Sequence, residues 1–81
     1  MITKDSIEAA YSFFHQKWRV YEHSTMENQK DDIEYAISQY VEGMSPELYD
    51  LLSDGNKKYL NEHSSFAHDI KDAIAKMEKM L

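Results

Sequence analysis

An all-α bundle of three long helices and one short one is the fold this sequence predicts, and three observations carry it. Two glycines and one proline are too few for the many turns of a β-sandwich or barrel. Ala, Leu, Met, Glu, Lys and Gln, which fit helices best, are plentiful. Apolar residues also recur at alternating steps of three and four, the spacing of one helix face. The composition, 42% apolar and 30% charged, is that of a folded globular chain, and six tyrosines, three phenylalanines and one tryptophan argue against disorder. Eighty-one residues allow a single domain, 1–81, whose core is too small to enclose a deep cavity.

The elements follow in order. Thr3 or Asp5 caps a first helix, and in "DSIE" Glu8 stands where a capping-box acid reaches back to the Asp5 amide; the helix covers about 4–23. "STME" repeats that spacing with Ser24 and Glu27, which starts a second helix over about 25–42 after a very tight connection. Gly43 suits a left-handed position after its end. In "MSPE", Ser45 is the N-cap and Pro46 takes the first helical position, where its missing N–H matters least. Gly55 stops this third helix after two turns, giving about 46–53. From there Tyr59, His63, Phe66, Ile70, Ala73, Met77 and Met80 keep one stripe, flanked by Leu60, Ala67, Ile74 and Leu81. The stripe holds its phase across Ser64 and Ser65, which predicts one continuous helix over about 56–81; a fresh start at those serines is the rival reading. Short connections predict antiparallel neighbours.

Five of the ten aromatics fall between positions 11 and 21, which raises the choice between core and binding surface. At 3.6 residues per turn, Ile7, Ala10, Tyr11, Phe14, Trp18 and Tyr21 share one stripe, so core packing accounts for four of the five. Phe13 lies off it, on a flank with Ala9 and Val20 beside the stem of Lys17. Burial between two neighbouring helices is the expectation for Phe13 and Val20. Left exposed, they would form the interface of a homodimer.

Charge is unevenly laid out. Residues 1–23 carry three basic and three acidic groups, residues 24–55 one basic and eight acidic, and residues 56–81 five basic and four acidic, for a net charge of −6. On the second helix, Met26, Ile33, Ala36, Ile37, Tyr40 and Met44 make one face, and Glu27, Asp31, Glu34, Ser38 and Glu42 the opposite one. Only Lys30 stands at the edge of that acidic stripe, and Tyr35 lies on its side. Glu47, Tyr49, Asp50 and Asp54 follow on the short helix. A solvated face needs acids too, and acids early in a helix complement its dipole. Acids with interspersed tyrosines are, however, what captures a basic partner, since Tyr supplies rigid contact area and the charges steer association. Glu27, Asp31, Glu34, Tyr35, Glu42, Tyr49 and Asp50 are therefore the candidate partner-binding residues.

With its short third helix and acidic second helix, the layout resembles the small four-helix immunity proteins that neutralise bacterial nuclease toxins. The resemblance is architectural. "PELYDLL" holds Tyr49 alone where that family's short helix has paired tyrosines, so no binding residue transfers.

Other classes are disfavoured. Without cysteine there are no disulfides, thiol catalysis or thiolate metal sites. His23 with Glu27, and His68 with Asp72, have the spacing of two ligands on one helix face, but two are too few for a metal site, and no Glu-x-x-His pattern occurs. His15, His23 and His68 are expected to be exposed polar residues, and His63 a core or boundary histidine. No phosphate loop, nucleophile setting or paired-acid motif stands out, so neither enzyme nor cofactor is expected. Net negative charge disfavours nucleic acid and membrane surfaces, although "HQKWRVYEH" interleaves Lys17 and Arg19 with aromatics. No secretory leader or spanning segment is read, so the cytoplasm is the default location. The sequence thus points to a non-catalytic binding or regulatory module for a basic protein. The alternative is a structural homo-oligomer using Phe13 and Val20, with an enzyme or metal-binding bundle a distant third.

Overall fold

The first helix begins where two side chains can close its open end. Thr3 Oγ1 accepts from the Ser6 N–H and Ser6 Oγ accepts from the Thr3 N–H, each at 3.1 Å, so the capping box is "TKDS", two residues earlier than the expected Asp5–Glu8 pair. The computed structural model describes residues 2–81. Its elements are α1 (Lys4–His23), α2 (Glu27–Gly43), α3 (Pro46–Ser53), a 3₁₀ turn (His63–Ser65) and α4 (Phe66–Met80). It is an all-α helical bundle, and no helix among the described residues is long and apolar enough to cross a membrane.

Aromatic contacts give the helix directions. Phe13 and Phe14 meet Tyr40 late in α2, whereas Lys30 early in α2 reaches the ring of Tyr21 late in α1. Tyr21 in turn packs on Phe66 at the start of α4, and Trp18 lies under Lys71 one turn further along it. Both α2 and α4 therefore run antiparallel to α1, which lies between them. The core is one cluster in which Phe14, Ile37, Leu48, Leu52, Leu60, Phe66, Ile70 and Met77 are fully buried. Each such side chain contributes roughly 1.5–3 kcal/mol relative to an exposed one. The α1 stripe is buried at Ile7, Ala10, Phe14 and Tyr21, while Tyr11 and Trp18 are half-buried at its border.

Two helix ends differ from expectation. Ser24 and Glu27 form no capping box: Met26 is the N-cap of α2 without a side-chain bond, and Ser24 Oγ donates instead to Gln29 Oε1 at 2.8 Å. Gly43 is the last residue of α2 and has no positive φ; among the described residues the left-handed positions are Asp54 (φ 51), Gly55 (φ 84) and Leu60 (φ 63). Asp54 and Gly55 turn the chain out of α3, and at Gly55 the absent Cβ permits this without strain. Ser45 and Pro46 start α3 as expected, although the buried Ser45 Oγ makes no capping bond.

The largest correction is at residues 56–65, which are not α-helical and hold only the 3₁₀ turn His63–Ser65. The chain leaves α3 in successive turns and re-enters a helix only at Phe66. An aspartate on α4 holds it there. Asp69, 4% exposed, accepts the Leu60 N–H at 3.0 Å and the Ser65 hydroxyl at 3.2 Å. The Tyr59 hydroxyl shares its proton between the Asp69 carbonyl, at 3.0 Å, and Asp72 Oδ2, at 2.9 Å. Tyr49 of α3 donates to the Tyr59 carbonyl at 2.8 Å, and Lys76 donates to the Leu52 carbonyl at 2.7 Å while pairing with Asp72 at 3.1 Å. Burial, the hydrogen bond to Asp72 and the nearby carboxylates push the Tyr59 hydroxyl well above its ordinary pKa. Tyr59 and Leu60 are buried, as the stripe demands, but by a folded-back loop in place of another three turns of helix.

Candidate protein-docking interface

The residues at the core-facing positions of α2 set the direction of its acids. Ile33 and Ile37 are buried and Ala36, Tyr40 and Met44 half-buried, so Glu27, Asp31, Asp32 and Glu42 come out on the exposed side. Met26, at the N-cap, is exposed instead of packed. Tyr35 stands on the outer side with 68% of its surface exposed. Among the described residues no ion pair reaches Glu27, Asp32 or Glu42. The single basic residue of this segment, Lys30, lays its ammonium 5.6 Å from the centre of the Tyr21 ring. Burial first, then the charges of Glu34, Glu27 and Asp31, raise the pKa of the Tyr21 hydroxyl, so the edge of that ring lies in the field of the stripe.

Of the seven residues expected to bind a partner, Glu27, Asp31, Tyr35, Glu42 and Asp50 are exposed. Two are engaged within the fold. Tyr49 is half-buried, its hydroxyl spent on the Tyr59 carbonyl, and it keeps an edge in a shallow groove with Val41, Glu42, Pro46 and Lys57. Glu34 is half-buried and receives the His63 Nδ1–H on both oxygens, at 3.0 and 2.8 Å. That hydrogen bond and the Glu34 charge, with Asp31 and Glu27 behind them, raise the His63 pKa above its ordinary value. His63 is thus neither core nor boundary: its side chain is 69% exposed, because the 56–65 segment swings it from the α4 stripe onto α2. Sequence periodicity carries no signal for a contact made across 29 positions by a 3₁₀ turn outside the α-helices.

The fold also sorts the other histidine pairs. His23 ends α1 and Glu27 begins α2, so they share no helix face. His68 lies 3.4 Å from Asp69, whereas Asp72 is bonded to Tyr59 and Lys76. One mixed set does assemble that the sequence did not reveal: Asp31, Glu34 and His63 each offer a ligand atom, all within 4.8 Å of one another.

On α1, Phe13 is half-buried, stacked on Tyr40 with ring centres 4.5 Å apart and with Lys17 Nζ 5.4 Å from its centre. Val20 is 54% exposed, in a shallow groove with Gln16, Arg19, His23 and Gln29, contrary to the expected burial. No family model, curated protein or solved structure matches the chain.

Proposed function

We propose that this protein is a small, acidic, non-catalytic binding or regulatory module that docks a basic protein partner through the outer face of α2 and the exposed acids of α3. The observation that supports it is the eight-to-one excess of acids in residues 24–55, all but the half-buried Glu34 on exposed positions, while Lys30, the one basic residue there, is turned onto Tyr21. Tyr35 supplies a rigid, amphipathic contact within that field. An acidic surface of this kind steers a basic partner mainly by accelerating association. A cytoplasmic setting, without nucleic acid or membrane, belongs to the same proposal.

The experiment is a pull-down from native lysate with the wild type and the Asp31→Lys/Glu34→Lys double variant side by side. The variant should lose the partner while staying folded by circular dichroism: the exposed Asp31 change alters stability by no more than about 0.5 kcal/mol, and the half-buried Glu34 also gives up its pair with His63. Wild-type affinity should fall with added salt, through a slower association rate. Retention of the partner by the double variant, or binding insensitive to salt, would leave the stripe as a solvated face only.

The second reading, a homo-oligomer built on the α1 flank, rests on the exposure of Val20 and loses Phe13, whose ring is stacked against Tyr40 within the chain. A dimer in sedimentation that Val20→Asp converts to a monomer would put it first.

A further inference from the structure

We propose that Asp31, Glu34 and His63 form a binding site for a divalent transition ion of the zinc type, with water completing its coordination. The three ligand atoms lie within 4.8 Å of one another, and they come from two separate elements. Asp31 and Glu34 stand three residues apart on one face of α2, while His63 opens the 3₁₀ turn that precedes α4. Zinc bonds of about 2.0–2.2 Å to nitrogen and oxygen place tetrahedral ligand atoms roughly 3.4 Å apart. Closing from 4.8 Å to that spacing takes only side-chain rotation, since Asp31 and His63 are exposed. Part of the geometry is already present: His63 Nδ1 points at both Glu34 oxygens, and an ion would take the place of the proton they share.

The donor chemistry chooses the ion. Magnesium and calcium favour sites made of oxygen alone, whereas an imidazole joined to carboxylates suits zinc and its neighbours in the first transition row. Charge agrees, because a dication cancels the two ligating carboxylates in a segment with an eight-to-one acidic excess and sits beside Glu27, whose field already reaches His63. Three protein ligands leave a position open to water. Bound there, the ion would clip the turn at His63 onto α2, joining positions 29 residues apart where one exposed ion pair now does so. The site stands independently of the docking reading, although a partner's lysine or arginine and the ion would compete for the same carboxylates.

The test is calorimetric titration of zinc alone into untagged, EDTA-stripped protein in a non-chelating buffer. One saturable site is expected. His63→Ala and Asp31→Asn should each weaken it at least tenfold, His15→Ala and His23→Ala should leave it unchanged, and a hundredfold excess of magnesium should not displace it. The two substituted ligands, Asp31 and His63, are exposed, so the variants should fold, which circular dichroism checks. Absence of saturable zinc binding, or equal affinity in His63→Ala, overturns the site. His63→Ala keeps both carboxylates, so loss of zinc with the basic partner retained separates this proposal from the docking face.

Discussion

Asp69 and Asp72 on α4, and Asp31 and Glu34 on α2, are two pairs of carboxylates with the same three-residue spacing, yet they face opposite conditions. The α4 pair is supplied from within: a backbone N–H, two hydroxyls and the Lys76 ammonium reach it. The α2 pair receives one histidine, and its nearest acidic neighbours, Glu27 and Asp32, receive no cation. A buried carboxylate without donors would carry a heavy desolvation penalty, so the first pair is bound to serve the fold. Water can satisfy the second, which leaves it available to a partner or an ion. Identical residue spacing therefore carries opposite meaning according to where the donors lie.

The comparison is broken most severely by removing Asp69. Asp69→Ala orphans the buried Leu60 N–H and frees a bulky residue held at φ 63, a region unfavourable to a branched side chain. A loss of about 2–3 kcal/mol is expected, since bonds to a charged acceptor are the stronger kind and an unsatisfied buried donor adds its own penalty. Urea denaturation measures it, and amide exchange should speed up at Leu60 before it does in α1. A loss below about 0.5 kcal/mol would mean that the 56–65 segment is held by burial alone.

Tyr59→Phe is the next step down, removing a hydroxyl that bridges the Asp69 carbonyl and the Asp72 carboxylate; about 1–1.5 kcal/mol is expected. Its pH dependence sharpens the point. Burial pushes the Asp72 carboxyl up, but hydrogen bonds from Lys76 and Tyr59 and the Lys76 charge outweigh this and hold its pKa below the ordinary value. A carboxyl depressed in the folded state adds stability that is present above its unfolded pKa and is lost as pH falls through the folded one. Acid denaturation curves of wild type and Tyr59→Phe should therefore converge below pH of about 4, the ordinary aspartate range. Curves that stay parallel into acid would show that the hydroxyl acts through the Asp69 carbonyl and not through Asp72.

What was legible in the sequence follows the same division. The boundaries of α1 and α3 could be read because their signals are local: Pro46 at a helix start, Asp54 and Gly55 at its end. The eight-to-one charge imbalance could be read because it needs only counting and a helical period. Residues 56–65 could not. Their apolar positions stay in phase with α4, and what overrides the period is a side chain, Asp69, bonding to a backbone N–H nine residues earlier. Misreading that segment hid His63 as well, since only the folded-back loop carries it to Glu34. Tyr49 was misjudged for a related reason: its hydroxyl finds the Tyr59 carbonyl, an acceptor that a continuous helix would have used internally.

The smallest expected effect bears most directly on why the acids of α2 are there. Glu27 occupies the first turn of α2, where a negative charge complements the partial positive charge of the helix start. Glu42 lies one residue from the other end, where the last turn holds no basic residue and the partial charge is negative. Glu27→Gln should therefore destabilise the protein and Glu42→Lys stabilise it, each by about 0.3–1 kcal/mol at low ionic strength, with both differences shrinking in salt. Thermal melts at two salt concentrations resolve the two signs. A residue that opposes its own helix dipole contributes nothing to that helix, so a stabilising Glu42→Lys that also weakens capture of the basic partner would show the acid to be kept for the partner. If Glu42→Lys instead destabilises the fold, some contact inside the chain needs that carboxylate, and the outer face of α2 resembles the Asp69–Asp72 region more than it differs from it.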